Sequence, residues 1–380
     1  MWKNIIGQDR VINILSNMYA SGRIPHSLIF YGKEGTGKDA AAIEIAKLVN
    51  CDNPVNVGTS LKEACDVCTS CRQIATLNSV YFKFITALPT GKKESNEEDS
   101  PVSLLNNEDR ESYHTELKRK AANPYYKISL QKANNIRIDS IRQIRKDIFL
   151  TAGRGKTKVF LISNADQMNP QSSNAFLKIL EEPPGRCLII LTTARVNSLL
   201  PTITGRCQKI RFDSIKKKEL TAYLMKHFET LSKEETALYA GVAEGSISKC
   251  MNIMNSYFLE LRDSVLGILR AVVAKQYFQA SVIINSITSA KDKEKVRLFL
   301  FLMILWFRDI TCISNDNEEI IINKDKIDNI NKFHQKYRSE SFEIINLLED
   351  LIKELDMNVN TELMLHTLFY KLTGLIRISR

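Results

Sequence analysis

The chain has no apolar run long enough to span a bilayer. The longest, Leu298 to Phe307, is bounded by Arg297 and Arg308, whereas a spanning helix needs roughly 17–25 residues. This run predicts a buried helix instead. The N-terminus, Met1-Trp2-Lys3-Asn4-Ile5-Ile6, lacks the apolar centre of a secretory signal. The expected location is therefore the cytoplasm, where thiols stay reduced. There is no internal repeat, which argues against a solenoid. No Ser-His-Asp or Cys-His arrangement is present, which removes the usual nucleophilic hydrolases. His26 and His366 read as structural.

With 380 residues, 44% of them hydrophobic, the chain can bury two or three cores. The formal net charge of +10 suits a protein that faces nucleic acid, and equally one that is simply soluble.

The strongest motif present is Gly32-Lys33-Glu34-Gly35-Thr36-Gly37-Lys38. It follows the apolar run Ser27-Leu28-Ile29-Phe30-Tyr31 and opens a helical stretch from Ala40 to Val49. Strand, glycine-rich loop and helix are the context a P-loop requires, because backbone N–H groups and the helix N-terminus then cradle phosphates. Lys38 would reach the outer phosphates. The next residue should carry the hydroxyl that holds magnesium, but it is Asp39. A second strand, Lys158-Val159-Phe160-Leu161-Ile162, should end in the other magnesium ligand, an Asp. Ser163 and Asn164 stand there instead. Asp166 lies further along, displaced from the required backbone position. The candidate nucleotide residues are thus Gly32, Gly35, Thr36, Gly37, Lys38 and Asp39, in a site that has lost its metal chemistry. The loop could hold ATP or ADP without turnover, or persist only as a strand-to-helix turn.

Cys51, Cys65, Cys68 and Cys71 form a second constellation. Two overlapping CxxC steps make one corner and Cys51 closes it, a spacing that suits four tetrahedral thiolates on zinc. A disulfide pair or free thiols are the alternatives, the first opposed by a reducing compartment and the second by the clustering. With no open ligand position the zinc would be structural. Cys187, Cys207, Cys250 and Cys312 are scattered and read as small core residues.

The stretch Asn174-Ala175-Phe176-Leu177-Lys178-Ile179-Leu180-Glu181-Glu182-Pro183-Pro184 precedes the strand Leu188 to Thr193 and then Gly205-Arg206-Cys207. This order resembles the bacterial clamp-loader subunits of the DNA polymerase III holoenzyme, an AAA+ family. Ile6-Gly7-Gln8, Arg23 to His26, the zinc cysteines and Asn358 to Leu363 match it too. The resemblance implies several residue roles. The Glu that polarises water in AAA+ ATPases would fall at Asn164. The sensor-2 motif appears as Gly245-Ser246-Ile247-Ser248, with Ser248 in place of its Arg and Lys249 adjacent. These losses follow the delta-prime pattern, not that of the catalytic gamma/tau type. Arg206 is kept, and the resemblance makes it an arginine finger offered in trans to a neighbour's ATP, although the preceding Ser of the motif is Gly205.

The expected fold is an α/β AAA+ P-loop domain with a zinc module, a small helical lid and an all-α collar. The expected boundaries are residues 1–211, with the zinc module at about 50–75 and a charged insertion at about 88–130, then 212–254 and 255–380. The insertion reads as a solvated surface excursion. In the helix from Ile138 to Phe149, Ile138, Ile141, Ile144 and Ile148 form the apolar stripe. Arg137, Arg142, Arg145 and Lys146 are the candidates to face DNA phosphates. The implied partners are gamma/tau-type and delta-type subunits, the sliding clamp and primer-template DNA. Two rivals remain: an atypical gamma/tau-type motor with magnesium on Asp39 or Asp166, and a stand-alone zinc-containing DNA-binding protein.

Overall fold

The computed structural model describes every residue except 1, 3, 58–60, 92–99, 150–154, 183–184, 229–230, 255–256, 290–291, 316, 318–319, 358 and 379–380. Most of the charged run that ends at Asp99, the Pro183-Pro184 end of the box and Asn358 therefore lie outside the described residues. The chain forms two compact units: Met1–His227 with Glu244–Lys249, and Phe228–Ala243 with Cys250–Arg380.

The first unit contains, in chain order, α1 (Asp9–Ala20), β1 (Ser27–Tyr31), α2 (Lys38–Asn50), β2 (Val55–Val57), β3 (Leu61–Glu63), α3 (Thr69–Ala75) and β4 (Phe82–Ile85). It continues through α4 (Asn107–Ala122), α5 (Ile138–Phe149), β5 (Lys158–Ile162), α6 (Pro170–Glu181), β6 (Cys187–Thr193), α7 (Pro201–Thr204), β7 (Gln208–Arg211) and α8 (Lys217–His227). Five strands form one parallel sheet in the order β4-β5-β6-β1-β7. Every residue of β5 and β6 is buried. Strands covered on both faces read as continuous apolar runs, which is why these were visible in the sequence.

Alternation along the strands divides the interior into two cores. Leu28, Phe30, Val159, Leu161, Leu188 and Ile190 face α1, α2 and the cysteine cluster. Ile29, Phe160, Ile162, Ile189 and Leu191 face Ile141, Ile144 and Ile148 of α5 and Phe176 and Ile179 of α6. β1 lies inside the sheet, with Leu28 opposite Ile190 on one side and Gln208 on the other. The loop leaving its C-terminal end therefore opens at the sheet edge where parallel α/β folds place ligands.

The described part of the insertion at 88–130 is exposed along much of α4 but is not solvated throughout. Leu88, Leu105 and Tyr113 form a small core of their own, and Glu116, Lys120 and Tyr125 are buried. Local polarity concealed this, because two of the three buried residues of α4, Glu116 and Lys120, are charged and satisfied by partners.

The second unit holds α9 (Lys233–Ala243), the end of α10 (Ile247–Met254), α11 (Phe258–Ala274), α12 (Tyr277–Thr288), α13 (Lys293–Ser314), α14 (Ile327–Lys336), β8 (Tyr337–Ser339), α15 (Ser341–Glu354), α16 (Thr361–Leu375) and β9 (Ile376–Ile378). α13 carries the apolar run Leu298 to Phe307 and is its central helix, burying Phe299, Leu300, Met303, Trp306 and Phe307. No helix among the described residues is long and apolar enough to cross a membrane. β8 and β9 pair antiparallel, so the region is not helical throughout as its pattern suggests. Three-residue strands are too short to leave a period in the sequence.

Asp309 is fully buried in α13. Its carboxylate accepts the backbone N–H groups of Ile322 (3.1 Å) and Asn323 (2.9 Å) and the Asn323 amide (2.7 Å). Asp309→Ala would strand these donors. Hydrogen bonds to a charged acceptor are each worth about 1.5–3 kcal/mol, so a loss of roughly 3 kcal/mol is expected in a denaturant titration followed by circular dichroism.

Candidate functional site

The glycine loop joins β1 to α2 in the strand-loop-helix order expected. Gly35 and Gly37 have φ of 74° and 95°, a left-handed backbone that favours glycine. Gly37 caps α2, whose first residues are Lys38 and Asp39. Lys38 is buried. Its ammonium donates to the carbonyl oxygens of Gly32 (2.8 Å) and Lys33 (2.7 Å). Burial holds its pKa below the ordinary lysine range, and the nearby Lys120 adds to the depression against the pull of Asp39, Glu34 and Asp166. Thr36 is fixed within the loop, its hydroxyl donating to the Lys33 carbonyl at 2.8 Å.

The Asp39 carboxylate, where a metal-binding hydroxyl would stand, is saturated by protein. Lys120 of α4 pairs with Oδ2 at 2.7 Å. Ser163 donates to the same oxygen at 2.9 Å, and Thr192 donates to Oδ1 at 2.7 Å. Ser163, at the end of β5, is thus a donor toward the first turn of α2. Asn164 has a left-handed backbone with φ of 54°, and its N–H donates to the Thr192 hydroxyl at 3.4 Å. Burial pushes the Asp39 carboxyl up, but the Lys120 charge and the three donors outweigh it and hold the carboxyl below its ordinary value.

Asp166 is engaged as well. It accepts the Thr193 hydroxyl at 2.7 Å and pairs with Arg195 at 2.8 Å. Neither acid invoked for an atypical motor is left with a free carboxylate face. Ser248 donates its hydroxyl to the Tyr125 carbonyl.

Arg206 follows α7. One guanidinium nitrogen donates to the Thr202 carbonyl at 3.0 Å and another meets Glu181 at 2.9 Å. Both side chains are exposed, at 39% and 50%, so the pair contributes about 0–1 kcal/mol and yields readily. Arg142, Arg145 and Lys146 are exposed on α5, opposite its buried isoleucines, and Arg137 is half-buried. Asp139 lies 3.4 Å from Arg137 and 3.7 Å from Arg142. None of these four basic residues lines the cleft at the loop.

The four predicted cysteines converge, with sulfur atoms all within 4.8 Å of one another. Cys51 follows α2, Cys68 caps α3 and Cys71 lies in its first turn. Asp66, with φ of 60°, makes the turn between Cys65 and Cys68. The Cys68 N–H donates to the Cys65 sulfur at 3.4 Å, and the Cys65 N–H to the Cys51 sulfur at 3.3 Å. Backbone donors from Cys68 and Val67 hold the Cys65 thiol down to about 6, while burial pushes the Cys51 and Cys71 thiols up. The cluster could hold a metal ion. Tetrahedral bonds of about 2.3 Å would set the sulfurs about 3.8 Å apart, inside the 4.8 Å within which all four lie. Cys187, Cys207 and Cys250 are buried, and Cys312 half-buried.

Sequence reasoning missed Lys120, Tyr125 and Thr192. Nothing around Lys120 distinguishes it from other lysines of a polar helix. The signal was indirect: an aspartate at position 39 requires a cation from somewhere.

The family model described as DNA polymerase III, delta subunit, matches residues 7–216. The chain belongs to that family. It is 26% identical to DNA polymerase III subunit delta' of Bacillus subtilis, over 93% of both chains. It is also 26% identical to subunit gamma of Buchnera aphidicola over 67% of this chain and 57% of that one. For subunit tau of Bacillus subtilis the identity is 26%, over 67% of this chain and 37% of that one. Among solved structures, a DNA polymerase III gamma subunit-related protein of Thermotoga maritima gives a TM-score of 0.39 at 19% identity, covering 77% of this chain and 94% of that one. The resemblance to clamp-loader subunits of delta-prime type, with gamma and tau beside it, is borne out.

In this delta-family chain the buried Lys120–Asp39 pair sets an expectation. Lys120→Met leaves Asp39 uncompensated and should cost roughly 3–5 kcal/mol, and a second change, Asp39→Asn, should restore most of it. Because the Asp39 pKa is depressed, its contribution is complete above about pH 4 and is lost as pH falls through the folded value. The double variant should therefore lose less stability between pH 5 and about pH 2, as denaturant midpoints across pH would show.

Proposed function

We propose that this chain is a non-hydrolysing, delta-prime-like subunit of the replicative clamp loader, built on an AAA+ fold, which offers Arg206 to the ATP of a neighbouring gamma/tau-type subunit. The observation that carries the reading is a contrast within one unit. The metal positions are dismantled, with Ser163 and Asn164 for acids and Asp39 held by Lys120. Arg206 is exposed and held only by a weak pair. A cationic guanidinium placed against a transferring phosphoryl group neutralises the charge that develops there, and such fingers contribute about 10³–10⁵ in rate.

The remaining parts follow from this role. The four cysteines hold a structural zinc, which ties the segment after α2 to α3. Arg137, Arg142, Arg145 and Lys146 track the phosphates of primer-template DNA, a contact that weakens as salt rises. Residues 212–254, divided between the two units, supply the lid, and the helices of 255–380 supply the collar that joins gamma/tau-type and delta-type neighbours, and the assembly loads the sliding clamp. The atypical motor is the weaker reading, because Asp39 and Asp166 both have protein cations in place. A stand-alone DNA-binding protein is weaker still, given the match to subunit delta' over 93% of both chains.

The test is a reconstituted loader with clamp and primed DNA, carrying either the wild-type chain or Arg206→Ala, with assembly checked by gel filtration. Turnover at the neighbouring site should fall by about 10³ while assembly is retained. Unchanged turnover would remove the finger role. For the metal, zinc analysis should find one ion per chain. Cys68→Ser should release it and lower the melting temperature, and chelation of the wild type should do the same.

A further inference from the structure

We propose that the cleft between β4, α4 and α5 is a binding site for a single nucleobase, a flat ring that carries an exocyclic amine. The cleft has a volume of about 220 Å³. Small-molecule sites are typically ~300–1,000 Å³, so this one suits a lone ring system whose sugar stays outside. Phe84, Tyr113, Ile144 and Phe160 contribute its apolar wall, and aromatic side chains are platforms on which bases stack.

The polar groups decide the class of ligand. Thr86 after β4, Tyr113 in α4 and Ser140 in α5 reach the cleft from three elements. All three residues are buried. Yet none of their hydroxyls has a hydrogen-bond partner among the described residues, and none is sealed away from solvent. Buried polar groups are nearly always paired, so three unpaired hydroxyls around one cleft mark a place for a polar ligand. Burial pushes the Tyr113 phenol up to about 12, which keeps it a neutral O–H able to donate to a ring nitrogen.

Asp147 of α5 supplies the acceptor for the amine. One carboxylate oxygen takes the Gln143 amide at 2.9 Å. The other has the Lys83 ammonium at 3.8 Å, beyond hydrogen-bond distance. Lys83 is 54% exposed and Asp147 only 14%, so water screens the lysine and the pair yields readily. Lys158 donates to the backbone carbonyl of Asp147 and not to its carboxylate. With Lys83 beside it, the carboxylate carries no net charge into the cleft, which favours an uncharged donor over an organic cation. The glycine loop and Arg206 take no part.

The full-length chain, with isoleucine methyl groups labelled for NMR, would be titrated with adenosine, which has no phosphate. Ile85 and Ile144 both line the cleft and report on it. Their signals should shift saturably with a Kd at or below about 1 mM. Purine riboside, which lacks the amine, should bind roughly tenfold more weakly or worse, the loss expected for a hydrogen bond to a charged acceptor. Asp147→Asn should weaken adenosine to a similar degree. Val102→Trp, which fills the cleft, should abolish the shifts while Ile45 and Ile190 in the other core keep their wild-type signals. Parallel titrations with single-stranded oligodeoxyadenylate, and with that strand in a duplex, separate two sources of the base. Shifts with the single strand but not the duplex assign an unpaired base of DNA, and shifts with adenosine alone assign a free nucleoside or nucleotide. Signals of Ile85 and Ile144 unmoved at about 10 mM adenosine would overturn the proposal. Equal binding of purine riboside, or undiminished binding to Val102→Trp, would do the same.

Discussion

A carboxylate at the first turn of a buried helix requires a cation, and much of the first unit is arranged around that requirement at Asp39. In a working P-loop this corner of the sheet is kept open so that a metal can come and go with its nucleotide. Here the cation is covalently part of the chain. Lys120 cannot leave, so the helix that carries it must stay docked, and the segment after that helix must follow. The insertion, the loop and the strand ends at Ser163 and Thr192 are thereby one hydrogen-bonded network. A fully satisfied polar network of this kind specifies a single arrangement, because any partial version leaves a charge without a partner in a poorly solvated place.

The same first unit keeps another charged group at its surface on opposite terms. Arg206 is paired, but with an exposed glutamate and a backbone carbonyl, so little free energy separates its present contact from a different one. Burial decides between the two cases. Lys120 and Asp39 gain from a low local dielectric and lose heavily on separation, whereas Arg206 and Glu181 are screened by water. One pair suits permanence and the other suits exchange.

Much of the architecture was legible because it rests on periodicity and spacing. Lys158 to Ile162 and Cys187 to Thr193 are buried on both faces and read as unbroken apolar runs. Ile141, Ile144 and Ile148 recur at helical intervals and are buried as that recurrence implies. The four cysteines converge as their spacing required. The altered loop was also plain, since one residue type at one position carries the signal. What was hidden depends on long-range pairing of charge. Lys120 lies far along the chain from Asp39, in a helix whose polar surface resembles any solvated one. Glu116 and Tyr126 are similarly ordinary until they are brought together. The β8–β9 ribbon escaped notice for a different reason, three residues being too few to establish a period. The return of Glu244 to Lys249 to the first unit, where the Ile247 N–H meets the Gly35 carbonyl at 3.0 Å, likewise has no local signature.

The buried Lys120–Asp39 pair also constrains the history open to this lineage. Restoring a hydroxyl at position 39 alone would strand a buried ammonium, and replacing Lys120 alone would strand a buried carboxylate. Each single step passes through a destabilised intermediate, while the joint change does not. Sign epistasis of this kind works as a ratchet. With the lysine paired to the aspartate, a hydroxyl at position 39 is closed to one-step routes.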